Sequence, residues 1–179
     1  MAIREPFGAD TGLNTYNIGA VDSYSTAVES GNSIFHKTTL SLTGALPAIA
    51  GGASLGVGRL LYTFPAGDIR ILTAAFKNVA ITQSEGNISA DTPDVGVGTV
   101  IASGAVAVLS GTATFENILT GQTFADCDGT ATNAGVASSK YILASEAHTV
   151  YFNVADGWAA SGDAAATISG DVVITWEFI

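Results

Sequence analysis

Residues 171–179 read DVVITWEFI, with Val172, Ile174, Trp176 and Phe178 on one parity and a more mixed set on the other. Successive side chains of an extended strand point to opposite faces, so this alternation gathers the four large residues on one side. Burying each is worth about 1.5–3 kcal/mol relative to exposure. The segment reads as a strand that pins the C-terminal residues into a sheet, and loss of the last few is expected to unfold the domain.

The same alternation recurs upstream. In residues 33–43, Ile34, His36, Thr38, Leu40 and Leu42 fall on one face, and Phe35, Lys37, Thr39 and Ser41 on the other. The stretch ALPAIAGGASLG that follows reads as a long loop, because Pro47 and Gly51-Gly52 interrupt any ladder. In GRLLYTFP, Leu60, Tyr62 and Phe64 alternate with Arg59, Leu61 and Thr63, and Pro65-Ala66-Gly67-Asp68 supplies a turn. Residues 68–83 read as one long strand or two strands bent in the middle. The parity of Ile69 and Ile71 blurs at Ala74, Ala75 and Phe76 before Val79 and Ile81 resume it, which a bulge near Lys77-Asn78 explains. Residues 84–93 form a polar loop. VGVGTVIASGAVAVL, residues 95–109, is β-branched and broken by glycine, which favours two strands over a buried helix. Residues 110–139 carry only Phe115, Ile118, Leu119 and Phe124 as large apolar anchors and read as the longest excursion from the core, with a surface loop or a short helical turn expected around 114–119. Strands at 140–144, at 148–155 with Val150, Phe152 and Val154 aligned, and at 165–179 complete the set.

Strands separated by turn-rich segments, with no amphipathic helices between them, define an all-β chain: an antiparallel two-sheet β-sandwich, with jelly-roll topology leading. Residues 1–32 are rich in Gly, Asn, Ser, Thr and Asp, with isolated Phe7, Tyr16, Ile18 and Tyr24 and no sustained period. They are expected as an extended N-terminal arm that lies across its own domain or a neighbour, with residues 33–179 forming the sandwich. Removal of residues 1 to about 30 is then expected to leave the domain folded.

A chain of 179 residues suits one domain with a full core. Charged residues make up only 12%, about half the usual share, so much of the surface must be uncharged Ser, Thr, Asn, Gly and Ala. Sixteen acidic against six basic residues give a formal charge of −10, and Arg4, Lys37, Arg59, Arg70, Lys77 and Lys140 are scattered singly. Such a chain repels phosphate backbones and anionic lipid, so no nucleic-acid or membrane partner is expected. No stretch reaches the roughly 18 apolar residues of a membrane helix, and MAIREPFGADTG does not resemble a signal peptide, so folding in a cytoplasm is expected.

Residues able to perform chemistry are few. Cys127 is alone, between Asp126 and Asp128, whose charges should suppress its thiolate; it reads as a spectator thiol in a loop. His36 and His148 share parity with apolar strand residues, and each is expected at a sheet edge with a satisfied hydrogen bond. One Cys and two distant His provide no zinc spacing. Asp126-Cys127-Asp128-Gly129 with Asn133 resembles the start of a calcium loop but lacks the closing bidentate Glu, and Asp91 and Asp94 flank Pro93 as a second acidic pair; both read as solvated loops. Gly51-Gly52, Gly56 with Gly58, and Gly96 with Gly98 lack the lysine of a phosphate loop and read as close packing or kinks. Trp158, in Ala155-Asp156-Gly157-Trp158-Ala159, is the best candidate to stack on a sugar, and is equally suited to plug an inter-sheet gap or a subunit seam. Trp176 reads as core. No catalytic residue, metal ligand or cofactor is assigned, and the chain is expected not to be an enzyme.

Residues 100–121, VIASGAVAVLSGTATFENILTG, together with residues 148–179, HTVYFNVADGWAASGDAAATISGDVVITWEFI, resemble virion structural proteins of tailed bacteriophages, in particular small jelly-roll proteins that decorate or cement capsids. The resemblance covers roughly the C-terminal half and carries no catalytic signature. It implies a β-sandwich on the capsid exterior, a homotrimer that bridges subunits of the major capsid protein. The low-charge surface agrees with it, since small side chains make repeated contacts at low entropy cost. The N-terminal arm, through Phe7 and Tyr16, would tether a neighbour or the shell. The alternatives are a carbohydrate-binding jelly-roll module that uses Trp158 and the acidic loops, or a receptor-binding or fibre component. A cupin-like metal enzyme fits poorly because the His ligands are missing.

Overall fold

The computed structural model describes residues 19–32 and 34–179. Among them the chain forms twelve strands: β1 (Ala20–Val21), β2 (Ser25–Gly31), β3 (Phe35–Leu42), β4 (Gly44–Ala45), β5 (Leu55–Thr63), β6 (Ile69–Thr82), β7 (Asp94–Gly98), β8 (Leu119–Thr123), β9 (Thr132–Ala137), β10 (Tyr141–Ile142), β11 (Thr149–Asp156) and β12 (Thr167–Phe178). Two single-turn 3-10 helices, Leu109–Gly111 and Ala113–Phe115, are the only helical elements of the described residues.

Sheet A is ordered β1-β5-β11-β7-β8; sheet B is ordered β10-β6-β12-β3-β2, with β4 beside β12 and β9 beside β6. All the strand pairs are antiparallel. From β3 onward the chain changes sheet at each connection between major strands except the one from β7 to β8. The resulting four-strand cores, β9/β10-β6-β12-β3 and β5-β11-β7-β8, are the two sheets of a jelly roll.

The alternation of β12 does what its spacing requires: Val172, Ile174 and Trp176 are fully buried against the other sheet. They meet Leu40 and Leu42 from β3, Val150, Phe152 and Val154 from β11, and Val95 and Val97 from β7 in one core. Phe178 packs at its margin. In β6 the blurred parity has two causes. The register against β12 shifts where Ile71 and Thr73 face Trp176 and Thr175, and again beyond Phe76. Each one-residue slip reverses the faces, so Ile71, then Ala74 and Phe76, then Val79 and Ile81 all point inward. The second break lies at Lys77-Asn78, where Asn78 holds φ 52°. In β5 a similar slip between Tyr62 and Leu60 buries Leu61 beside Tyr62, where simple alternation had turned Leu61 outward.

Three expectations require correction. The stretch 95–109 does not hold two strands: only β7 forms, and residues 99–118 cross back over the outer face of sheet A. Residues 110–139 are not simply an excursion from the core. They contain the expected helical turn, at Ala113–Phe115, and also β8 and β9, whose sequences LTGQT and TNAGVA have too few large side chains to show a period. The expected arm, residues 1–32, is part of the sandwich wherever it is described. There β1 pairs with β5, and β2 pairs along the whole of β3. The inward positions of β2 include Ser25 and Glu29, which hydrogen bonds satisfy, so no apolar period announces the strand. Phe7 and Tyr16 lie outside the described residues.

The crossing segment 99–118 is a strap with its own small core: Leu109, Phe115, Ala102 and partly buried Val106 close on Ala155 of β11. Asn153, fully buried in β11, anchors it: Oδ1 accepts Ala102 N–H at 2.8 Å, and Nδ2 donates to the carbonyls of Val100 at 2.9 Å and Phe115 at 2.8 Å. The strap lies close enough that a Cβ on Gly98 would stand 2.3 Å from Thr114 O, and one on Gly58 2.8 Å from Ile101 Cγ1. The alternating glycines of LGVG and VGVG thus form the bed of the strap.

Candidate functional site

At the β2–β3 side of the core a carboxylate is fully buried. Glu29 Oε2 accepts the Tyr62 hydroxyl at 2.9 Å, and His36 Nδ1 lies 2.9 Å from Oε1. Burial, and then the Glu29 charge, push the Tyr62 hydroxyl above the ordinary tyrosine range. The His36 ring stacks on Trp176 with centroids 4.2 Å apart, and Trp176 Nε1 donates to Thr38 Oγ1 at 2.9 Å. His36 therefore does not sit at a sheet edge: β3 lies between β12 and β2, and the imidazole belongs to the core. The sequence read Trp176 as core and placed His36 and Tyr62 on the parity of large apolar residues, but missed Glu29, which stands in a segment with no period to mark it.

His148 lies just before β11, with Nδ1 2.9 Å from Glu146 O and Nε2 2.8 Å from Gly67 O. It joins the β10–β11 and β5–β6 connections at one end of the sandwich. The two histidines occupy separate places, and no group of three His, Cys, Asp or Glu among the described residues is arranged to hold a metal ion.

The opposite end is formed by four connections, residues 46–54, 83–93, 124–131 and 157–166, which are tied together. Ile49 and Asp163 exchange backbone hydrogen bonds, Cys127 N–H donates to Ser89 O, and Ala159 N–H donates to Asp91 Oδ2. Asp163 is almost fully buried. It accepts the amides of Ser84, Glu85 and Ala165 and the Ser84 hydroxyl, at 2.7–2.9 Å. Burial raises its pKa, but these four donors outweigh burial and hold the carboxyl below the usual range. Asp126 is likewise lowered, by the Thr130 hydroxyl and the Asp128 amide, which close a local turn on it. Asn133 bonds Asn78 across β9 and β6, and Asp94 accepts Leu109 N–H, so the residues of both candidate cation loops serve the loops themselves.

Cys127 is a core residue rather than a loop spectator. Burial first, then Asp91, Asp156, Asp126 and Asp128, push its thiol up to about 12, which removes it as a nucleophile at neutral pH. Asp156 is raised by burial and by Asp91.

Trp158, the candidate sugar platform, is 2% exposed, and its Nε1 donates to Leu55 O at 2.9 Å. It plugs the loop end of the core, the other role its surroundings allowed, and offers no ring face to a ligand. An open groove of about 440 Å³ runs between the edges of the two sheets, lined by Glu116, Asn117, Thr120, Ser138, Ser139 and Lys140 among others. No aromatic ring lines it.

A broad accessible feature is the outer face of sheet B. Strand register places Val28, Thr39, Val173, Ala75 and Gly135 in one row across five strands, and Ser30, Lys37, Thr175, Thr73 and Ala137 in the next. A third row runs Phe35, Glu177, Arg70, Tyr141, with Arg70 and Glu177 paired. Val28 and Phe35 are each 50% exposed and Tyr141 47%. The outer face of sheet A lies under the strap, whereas none of the described residues crosses these rows. Neither a reactive cluster nor a surface tryptophan is needed to recognise such a face, and only the low charge of the sequence pointed toward it.

Fold and site together define a jelly-roll β-sandwich whose polar groups are largely spent on its own architecture and whose exposed feature is a broad sheet surface. No protein-family model, no curated protein and no solved structure matches the chain.

Proposed function

We propose that this chain is a non-enzymatic virion structural protein of a tailed bacteriophage, a capsid decoration or cement protein that forms homotrimers on the outer capsid surface and bridges subunits of the major capsid protein. One observation carries the reading: sheet B presents an outer face five strands wide, made mostly of Thr, Ser, Ala, Gly and Val. Side chains of this size lose little entropy when a second surface covers them, so a wide, shallow contact repeated around a symmetric shell sums to a firm one. The groups that would perform catalysis are committed elsewhere, His36 to Glu29 and Trp176, and Cys127 to the core. The jelly-roll order of the strands is compatible with the same reading.

Immunogold labelling of intact virions with an antibody against this chain tests the proposal. Regular labelling over the head supports decoration. Labelling confined to the tail or fibres favours the receptor-binding alternative, and unlabelled virions refute a virion role. Burial of Trp158 weakens the carbohydrate-binding reading. A rise of several degrees in Tm with an oligosaccharide would restore it through the groove beside Asn117 and Ser138.

A further inference from the structure

Charge is distributed unevenly over the molecule. The four connections that form the loop end carry Glu85, Asp91, Asp126, Asp128 and Asp163, with Asp156 at their base, and contain no Lys or Arg. Three of the five described cations, Lys37, Arg70 and Lys77, stand instead on the outer face of sheet B. On that face Glu177 pairs with Arg70, and Asp171, which the register sets between Ser41 and Lys77, accepts Ser41 Oγ. Lys37 and Lys77 are exposed, and no ion pair is formed by either among the described residues.

We propose that copies of this chain associate head to tail, the acidic loop end of one subunit docking on the outer face of sheet B of the next. This deepens the self-association proposed above and rests on that part of the reading, not on the capsid. Opposite charges steer two molecules of formal charge −10 into the one orientation in which their potentials attract. The surfaces also match in texture. The loop end exposes Ala48, Ala50, Ala160 and Ala164, whose methyl groups allow close approach to the Val, Thr and Ala rows and to half-exposed Val28 and Phe35.

A face-to-face dimer would instead join two sheet B faces with their lysines gathered about the axis, and would leave both acidic ends uncompensated. A head-to-tail contact uses two different patches on each subunit and closes into a ring when the rotation per subunit divides a full turn. A trimer satisfies that condition.

Light scattering on the full chain from about 0.05 M to about 1 M salt supplies the first test, since such contacts weaken as charges are screened. A closed oligomer at low salt that dissociates as salt rises is expected; a monomer throughout overturns the contact. Lys37→Glu with Lys77→Glu should weaken association about tenfold or more, and so should Glu85→Lys with Asp128→Lys at the other end. Mixing the two doubly substituted chains restores opposite charges at every contact between unlike chains and should restore their association as 1:1 pairs or even-numbered assemblies, because a three-membered ring of the mixture would contain one contact between like chains. If the lysine substitutions abolish association while the Glu85 and Asp128 substitutions leave it intact, the contact is face to face and the proposal fails. An oligomer indifferent to both pairs also overturns it. Circular dichroism and Tm of each variant confirm folding, and the salt titration needs no variant. A monomer that still labels virion heads would sink this contact and leave the virion role standing; a salt-sensitive ring absent from virions would do the reverse.

Discussion

Trp176 combines four contacts. Its indole stacks on His36, meets Phe64 and Phe178 edge-on with centroids 5.2 Å apart, and donates to Thr38. Trp176→Ala opens a large cavity and leaves the Thr38 hydroxyl and the His36 ring without their neighbour. Chemical denaturation should record a loss of about 3–5 kcal/mol. This residue was legible in the sequence, because the period of DVVITWEFI alone sends it inward. Asp163 was not legible: its donors come from Ser84 and Glu85, far along the chain, and no local pattern reveals them. Hydrogen bonds to a charged group are worth about 1.5–3 kcal/mol, so Asp163→Asn should cost about that much near neutral pH. The sign of its pH dependence follows from the lowered carboxyl. The folded form holds the proton less tightly than the unfolded chain, so the stabilisation is complete above the unfolded Asp value of about 3.9 and fades as pH falls through the folded value. Stability curves of the two proteins should therefore converge in acid, and a gap that persists there would assign the cost to packing instead.

Among elements, the strap 99–118 is the least regular and the most instructive. The sequence read its glycine bed as close packing or kinks but took 95–109 for two strands, because a sequence shows that side chains are missing but not what fills the space they leave. Gly98→Ala would set a methyl group against the Thr114 carbonyl, and relief requires the strap to lift. The expected cost is about 1–3 kcal/mol, with new protease cleavage inside 99–118 appearing before global unfolding. Cleavage unchanged from the parent chain would show that the strap tolerates the shift. β2 makes the opposite point. A strand whose buried positions are Ser25 and Glu29 has no hydrophobic period, yet it completes sheet B and carries the partner of Tyr62 and His36. Deleting residues 1–32 should therefore abolish cooperative melting, in contrast to the behaviour of a detachable arm. A deletion that retains a sharp transition near the parent Tm would contradict the role of β2.

At the scale of the whole molecule, the all-β class and the sandwich followed from alternation and from the absence of amphipathic helices. The jelly-roll order followed less directly, since β8 and β9 have too few large side chains to be counted. Function was least legible, because a broad sheet face has no sequence motif; the sequence shows a shortage of charge, and only the structure shows the face on which small side chains are gathered. The uneven charge has a consequence for the intact chain that can be measured without any partner. Electrophoretic and ion-exchange behaviour should be governed by the loop end, so that Glu85→Lys with Asp128→Lys advances elution from an anion exchanger by more than the same charge change made at Asp22 and Asp68. Equal shifts would show that the matrix reads total charge alone.

β12 occupies the centre of sheet B, between β3 and β6, although it is the last strand to emerge during synthesis. In the finished sheet β3 and β6 lie about 10 Å apart with β12 between them, so a chain without β12 would leave both edges unpaired. That place cannot be filled by any neighbour in sequence: Trp176 and Thr38, which meet there, are 138 residues apart. Chain closure over that separation makes for slow acquisition of the native state, in the millisecond-to-second regime of long-range β topologies. The nascent molecule thus passes through a period in which a free β-strand from another copy is the nearest substitute for its own, and dilution or a chaperone decides which one is taken.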